Sequence, residues 1–459
     1  MMSLHEAALS VDGRTSGGEP LFTGVSTDTR TLKSGDLFVA LRGERFDGHA
    51  FLSQAKAAGA VAAMVDRHYG GEFPMPVVVV GDTKRALGAL ARGWRERFAP
   101  ALIAVTGSNG KTTVKEMLAS ILRAHAGDRA VLATAGNLNN DIGLPLTLLR
   151  LDDGHRWCAI ELGMNHRGEI AYLAAIAQPS VALVNNAQRE HLEFMNSVDE
   201  VAAENASVYG ALPPHGVAVV NADDPHAGVF RRAALARRVV DFGIEAKAMV
   251  TGSYSLKPLL SELVVKTPEG EANATLAIPG LHNVRNALAA AACAHAAGIG
   301  LKSIGDGLTR FRPYTGRLQI KRAASGATVI DDSYNANPDS VRAAIDVLAS
   351  CPAPTVLVLG DMGEVGTQGA QFHREVGAYA AAKKISQLLA IGEATKHAVD
   401  SFGPGARHFE KVEELVSNIK GNSILVKGSR FMRMERVVTA LTGTNTGSAS
   451  ASGRSEGRH

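Results

Sequence analysis

The run "ALIAVTGSNGKTTVKEMLASIL", residues 101–122, constrains this chain more than any other stretch. A short apolar piece leads into a glycine loop, and Val114, Met117, Leu118, Ile121 and Leu122 then recur on one helical face. Strand, glycine turn and helix N-terminus is the context in which backbone N–H groups and the helix dipole converge on an anion. The usual phosphate loop carries a glycine five residues before its Gly-Lys pair. Here that position holds Val105, and Gly107 stands three residues before Gly110. The spacing predicts a shortened phosphate loop, with Gly107, Ser108, Asn109, Gly110, Lys111, Thr112 and Thr113 as nucleotide contacts. The glycines let the main chain come close, Lys111 is placed to pair with the terminal phosphates, and Thr112 offers a hydroxyl to Mg²⁺. The competing reading is a tight strand-to-helix turn with a solvated lysine, which the flanking elements disfavour.

The rest of the chain alternates in the same style. "WCAIELG", "VALVNNA" and "GVAVVNADD" are short apolar pieces separated by helix-like segments, which predicts a mainly parallel sheet with helices on both faces. Before them, "GDLFVAL" and "PVVVVGD" alternate with Ala-rich "FLSQAKAAGAVAAMV", read as helical, in a small α/β unit. After them, "SELVVKTPEGEANATLAIPG" alternates like antiparallel strands ahead of the helix "NVRNALAAAACAHAAG". From Arg312-Pro313 the α/β rhythm returns with "TVLVLGD", "QLLAIG" and "SILVKGS". At 459 residues several domains are needed. The division expected is 1–98, 99–313 and 314–442, with a Gly/Ser/Thr-rich, disordered tail at 443–459.

Composition narrows the class. Apolar residues at 46% and charged residues at 20% are the balance of a soluble globular protein. The net charge of +3 comes without a Lys/Arg cluster, so no nucleic-acid partner is expected. Three widely spaced cysteines make neither a disulfide framework nor a zinc site. No secretion signal or membrane-length apolar run is read, so the expectation is a cytoplasmic monomer with no membrane insertion.

A metal beside the loop needs oxygen or nitrogen ligands at strand ends. Glu161 closes "WCAIE", and His191 follows the strand-like 181–184 on the expected carboxyl edge. Each has an ordinary alternative, a solvent-facing glutamate and a structural histidine. Downstream, "DDSYNANPDS" follows the strand-like "GATVI" and is either a polar site or a loop capped by Asp339 or Ser340 before a helix. "SRFMRME" after "SILVKG" offers Lys427, Arg430 and Arg433 to an anion, or a solvated basic face.

The variant loop, the Glu161 strand and the His191 loop together resemble the Mur ligases of peptidoglycan synthesis. Further strings fit the branch that adds D-alanyl-D-alanine to UDP-N-acetylmuramoyl-tripeptide: "STDTR", "GDLFVALRGERFDGHAFLSQA", "AGNLNNDIGLPLTLL", "ELGMNHRGEI", "GLHNVRNALAA", "DDSYNANPDS", "LGDMGEVG" and "LVKGSRFMRME". The resemblance covers about residues 20–440. It implies an N-terminal domain for the uridine nucleotide, a central domain for ATP and Mg²⁺, and a Rossmann-like C-terminal domain that closes over the site. Thr29, Arg30, Arg42, Asp47, His49, Asn137, Asn335 and Asn337 are its candidate substrate contacts. Asn283, Arg285, Asn286, Arg317 and Asp331 are its further nucleotide contacts. Thr112, Glu161 and His191 are its candidate metal ligands, with Lys111, His191 and Arg317 as catalytic residues. One position departs from the family: Asn205 stands where many members carry a lysine whose carbamylated side chain serves a second Mg²⁺. A neutral amide brings no charge to hold that ion. The expectation is a second metal held by substrate phosphate, groups near Glu161 and His191, with Asn205 a weak or water-mediated ligand at most.

The chemistry needed for such a joining reaction agrees with these residues. A carboxylate is a poor electrophile, and phosphoryl transfer from ATP converts it to an acyl phosphate that an amine can attack. Lys111, Mg²⁺ and Arg317 would stabilise the transferring charge. Two other classes stay open on the residues alone: a phosphate-loop switch or motor, and a nucleotide-binding protein without turnover. Within the ligases, cyanophycin and folylpolyglutamate synthetases are cousins that the "STDTR…DGH" region disfavours.

Overall fold

The computed structural model describes residues 1–43, 46–190 and 193–443. His191 and the tail at 444–459 lie outside the described residues.

The central sheet has six parallel strands in the order Arg238–Phe242, Val217–Asn221, Val181–Val184, Ala101–Thr106, Trp157–Glu161, Val131–Ala133. Strands at 181–184 and 217–221 are buried on both faces, which is why they read as unbroken Val/Ala/Leu runs. Chain order reverses direction at Ala101–Thr106, so the carboxyl ends on either side of it open a crevice. Register sets Glu161 beside Val105 on one flank and Val184 beside Thr106 on the other. Helix Lys111–Ala126 leaves the crevice and packs Val114, Met117, Leu118, Ile121 and Leu122 under the sheet, the face expected from their spacing. Helix Leu281–Ala296, rich in fully buried alanines, lies against it. An antiparallel meander of Thr251–Leu256, Ser261–Thr267 and Gly270–Leu276 completes this unit.

The N-terminal unit is a five-stranded sheet, parallel except for the edge strand Arg14–Ser16. One expectation here is corrected. "FLSQAKAAGAVAAMV" is helical only over its first part, Leu52–Ala57, and Gly59 then turns with φ +103° into the strand Ala62–Asp66. That strand is walled on both faces, so its Ala/Val/Met run carries no alternation to mark it as β.

The C-terminal unit has six strands in the order Gln319–Arg322, Thr328–Asp332, Ser423–Lys427, Thr355–Gly360, Gln387–Ile391, Ala406–Phe409, all parallel but the first. It is the open α/β sheet expected, with the last strand of the chain inserted between the first two parallel ones. One buried apolar cluster joins the N-terminal unit to one face of the central sheet, and another runs from the opposite face into the C-terminal unit. Residues of all three line one cleft at the carboxyl ends of the central strands.

Candidate active site

The glycine loop is held open by its neighbours. Gly107 and Gly110 have φ of +129° and +81°, and a Cβ on Gly110 would sit 2.3 Å from Asn286 Oδ1. No L side chain fits there. The apex is stapled to the end of the next strand. Asn109 N–H donates to Asn186 Oδ1 at 2.8 Å, while Asn185 and Asn186 amides donate to Asn109 O at 2.8 and 3.0 Å. No side chain caps the N-terminus of helix Lys111–Ala126, which leaves its first-turn N–H groups toward the loop. Lys111 Nζ folds back onto Gly107 O and Ser108 O at 2.6 and 2.9 Å and lies 3.2 Å from Glu190. The result is a preformed loop leading into an uncapped helix N-terminus, with the Lys111 ammonium beside it.

Beside it, Glu161 is 2% exposed. Its Oε1 accepts from Asn139 Nδ2 at 2.7 Å and from Thr112 Oγ1 at 3.3 Å, and its Oε2 is buried without a hydrogen-bond partner. A buried carboxylate oxygen without a donor, next to a hydroxyl, suits a hard cation. Among the described residues no three His, Cys, Asp or Glu side chains converge. The protein offers one carboxylate and one hydroxyl there, as expected of Mg²⁺ sites completed by phosphate and water.

A cleft of about 1020 Å³ surrounds these groups, lined by all three units. Ser108 to Thr113, Asn137, Glu161, Asn283, Arg285, Asn286, Arg317, Asn335 and Asn337 all face it. Asn185, Asn286 and Asn283 form a hydrogen-bonded chain along its floor, at 3.0 and 3.1 Å. Arg317 stacks 4.1 Å over Tyr334, and its Nε is buried without a hydrogen-bond partner, while that of Arg285 lies 4.0 Å from Asp223. Asn337 caps helix Pro338–Ala349, the role that the bland reading gave to Asp339 or Ser340, and also donates to Asn109 Oδ1 at 2.9 Å. His282 borders the cleft, and burial, then the Lys427 charge, push its imidazole down to about 4.

Several expected residues lie elsewhere. Asp331 does not line the cleft: its carboxylate accepts from Lys321 Nζ at 2.7 Å and Ser333 Oγ at 2.6 Å. Its neighbour Asp332 faces the cleft, paired with Lys427 at 2.5 Å. Thr29, Arg30, Arg42, Asp47 and His49 are also outside the lining. Arg30 is bound to Asp28 at 2.6 Å on the surface, and Arg42 to Asp47 at 3.0 Å. His49 is buried with both ring nitrogens engaged, Nδ1 by Asp47 at 2.5 Å and Nε2 by the Asp66 N–H at 2.9 Å. Among the described residues, the N-terminal cations that reach the cleft are Lys84 and Arg85, at the start of helix Thr83–Arg95. Asn139, Asn185, Asn186 and Arg189 also escaped sequence reasoning. The run "NNAQRE" after an apolar strand, polar but for Ala187, was the signal for three of them. Asn205 is wholly buried behind the loop: it accepts from Thr106 Oγ1 at 2.7 Å and donates to Val201 O at 3.0 Å. Glu204 accepts the N–H groups of Gly168 and Ile170 at 2.8 and 2.9 Å.

Family comparison agrees along the chain. Residues 21–95 match the Mur ligase family catalytic domain, 105–294 the Mur ligase middle domain, and 316–430 the Mur ligase glutamate ligase domain. The chain belongs to the Mur ligase family. Members of this family are ATP-dependent amide-bond ligases. The chain is 40% identical to the UDP-N-acetylmuramoyl-tripeptide–D-alanyl-D-alanine ligase of Escherichia coli, over 97% of this chain and 99% of that one. Its fold is similar to the crystal structure of MurF from Acinetobacter baumannii, with TM-score 0.90, 36% identity and coverage of 96% and 99%. It is also similar to the MurF ligase of Thermotoga maritima in complex with ADP, with TM-score 0.81, 25% identity and coverage of 92% and 97%. No helix among the described residues is long and apolar enough to cross a membrane.

Proposed function

We propose that this Mur ligase joins D-alanyl-D-alanine to UDP-N-acetylmuramoyl-tripeptide, using ATP and Mg²⁺, in the cytoplasmic synthesis of peptidoglycan precursors. The observation that carries this reading is one cleft in which the Lys111–Thr112–Glu161 cluster faces Arg317, Asn335 and Asn337 from another unit. The terminal carboxylate of the tripeptide attacks the γ-phosphorus, the bond to ADP breaks, and an acyl phosphate forms on the substrate. The dipeptide amine then attacks the carbonyl carbon, C–N forms, phosphate leaves and the amine loses a proton. Lys111 and the loop N–H groups hold the transferring phosphoryl charge, and Arg317 adds a second cation from the opposite wall. Thr112 and Glu161 would hold Mg²⁺, which when bound would supply positive charge against the phosphates. Residues 1–98 carry the uridine nucleotide, 99–313 the ATP site and 314–442 the incoming dipeptide. Lys84 and Arg85 stand where the N-terminal unit borders the cleft. Phosphate release measured with UDP-muramoyl-tripeptide plus D-alanyl-D-alanine tests the proposal. Release should need both substrates, whereas a motor would turn over ATP without them and a binding protein would release none.

A further inference from the structure

Three consecutive side chains after the strand Val181–Val184 point three ways. Gln188 grips the phosphate loop: its N–H donates to Ser108 Oγ at 2.9 Å and its Oε1 accepts from Asn109 Nδ2 at 2.6 Å. Glu190 lies 3.2 Å from Lys111 Nζ. Arg189, between them, reaches into the C-terminal unit. Its guanidinium donates to Asp339 Oδ1 at 2.5 Å and to both oxygens of Glu375 at 2.8 and 3.0 Å, and its own N–H donates to Asp339 Oδ2 at 3.1 Å. The two carboxylates come from different helices, Pro338–Ala349 and Gly369–Ala382, and the Phe372 ring lies under the guanidinium at 5.1 Å. Arg342 adds a second donor to Glu375 at 2.8 Å. With side-chain exposures of 24% for Arg189 and Asp339 and 29% for Glu375, the cluster is too sheltered to count as an ordinary surface pair.

We propose that Arg189 is a positioning residue that latches the C-terminal unit over the phosphate loop. A planar fork can hold two carboxylates on two helices at fixed angles, which a single ammonium cannot. Asp339 sits in the first turn of the helix that Asn337 caps, and Asn337 is the residue touching Asn109. The latch therefore sets the distance between the loop apex and the wall carrying Arg317, Asn335 and Asn337. The two units also touch away from the cleft, where Cys351 Sγ lies 3.6 Å from Pro258 O. Losing the latch frees the cleft side of the interface while that second contact stays, so the cleft opens. Hydrogen bonding to Glu375 and then Asp339 raises the Arg189 pKa, and the same bond lowers that of Glu375, so both stay charged at neutral pH.

The three native cysteines are buried, so dyes on Leu235→Cys and Asp400→Cys, both at exposed positions, report docking by energy transfer in the full chain. Arg189→Ala should lower the docked-to-open ratio by about tenfold or more, the scale of losing charge-assisted hydrogen bonds. Arg189→Lys should restore only part of it, and Glu375→Gln should open the cleft from the other side if Arg189→Ala folds poorly. The kinetic arm rests on the ligase reading: kcat/KM for the dipeptide should fall with the docked fraction, while ADP affinity stays near wild type, because Lys111 and Thr112 are on the central unit and ADP lacks the phosphate that Arg317 meets. An unchanged docked fraction in both Arg189→Ala and Glu375→Gln overturns the latch, as does full recovery by lysine. Opening of the variants in a protein that ligates nothing keeps the latch and refutes the ligase reading instead.

Discussion

Asn205 distinguishes a structural strut from a metal ligand, and removing its amide separates the two. Thr106, 1% exposed, ends the strand that feeds the glycine loop, and its hydroxyl donates to Asn205 Oδ1 at 2.7 Å. In Asn205→Ala that hydroxyl loses its acceptor inside the protein, a cost of about 1–3 kcal/mol. The amide leaves a hole of roughly 25 Å³, worth about 0.6 kcal/mol more. Val201 O keeps a partner in its own helix, so nothing is added there. The sum, about 2–4 kcal/mol, lowers the melting midpoint of the central unit by roughly 5–15 °C. Thr106→Val should cost less, and the double variant should fall short of additivity by about 1 kcal/mol. Calorimetric melts of the four proteins give the cycle, and phosphate release against Mg²⁺ concentration gives the second readout. A strut predicts a lowered midpoint and an unchanged Mg²⁺ requirement. An unchanged midpoint with a raised Mg²⁺ requirement would show Asn205 Oδ1 on a cation and refute the reasoning.

Lys111→Ala should cut ligation by about 10²–10³-fold with the melting midpoint preserved, the size of removing one electrostatic stabiliser; near wild-type turnover would end the phosphate-loop assignment. Gly110→Ala should abolish ATP-analogue binding by calorimetry, because its Cβ meets Asn286 Oδ1 at 2.3 Å with the backbone at φ +81°; tight binding would show that the loop does not cradle phosphate. Glu161→Gln should raise the Mg²⁺ concentration for half-maximal activity while leaving ADP binding without metal unchanged, since the change removes charge from a buried oxygen that has no donor. His282 is neutral when folded, at about 4 against an ordinary 6.5. Its contribution is complete above 6.5 and is lost as pH falls toward 4, by at most about 3 kcal/mol and less where the cleft admits water. Urea midpoints across that window should slope less in His282→Gln, and an identical slope would remove His282 from the account.

What was legible in the sequence was local. Gly107, Gly110, Lys111 and Thr112 lie within one turn and are placed by one strand and one helix, so spacing alone carries their geometry. Glu161 was legible for the same reason, as the last residue of a strand that pairs in register beside the loop strand. Asp331 and Asp332 show where this stops. Both end the strand Thr328–Asp332, and strand alternation sends them to opposite faces, but sequence alone does not give the phase. It is settled by the antiparallel edge strand Gln319–Arg322, which brings Lys321 to Asp331 and leaves Asp332 to the cleft.

The same limit separates the two sets of N-terminal cations. His49 is a candidate through the family resemblance, and in the structure the Asp66 N–H, 17 residues away, occupies its second ring nitrogen. Lys84 reads as an ordinary helix residue, and only the docking of helix Thr83–Arg95 against the central unit, with Lys84 2.7 Å from Asp141, carries it to the cleft. Arg189 is the extreme case, with partners 150 and 186 residues downstream. The glycine loop's own residues are encoded within a few positions of one another, whereas those that hold it and bring the three units to it depend on pairings between distant segments. Substitutions in the first group should therefore change nucleotide binding in the isolated site. Those in the second should change how substrates on different units meet while ADP affinity is kept. Comparing ADP affinity with kcat/KM for the dipeptide in Lys111→Ala and Arg189→Ala tests that division, and equal losses of both in Arg189→Ala would erase it.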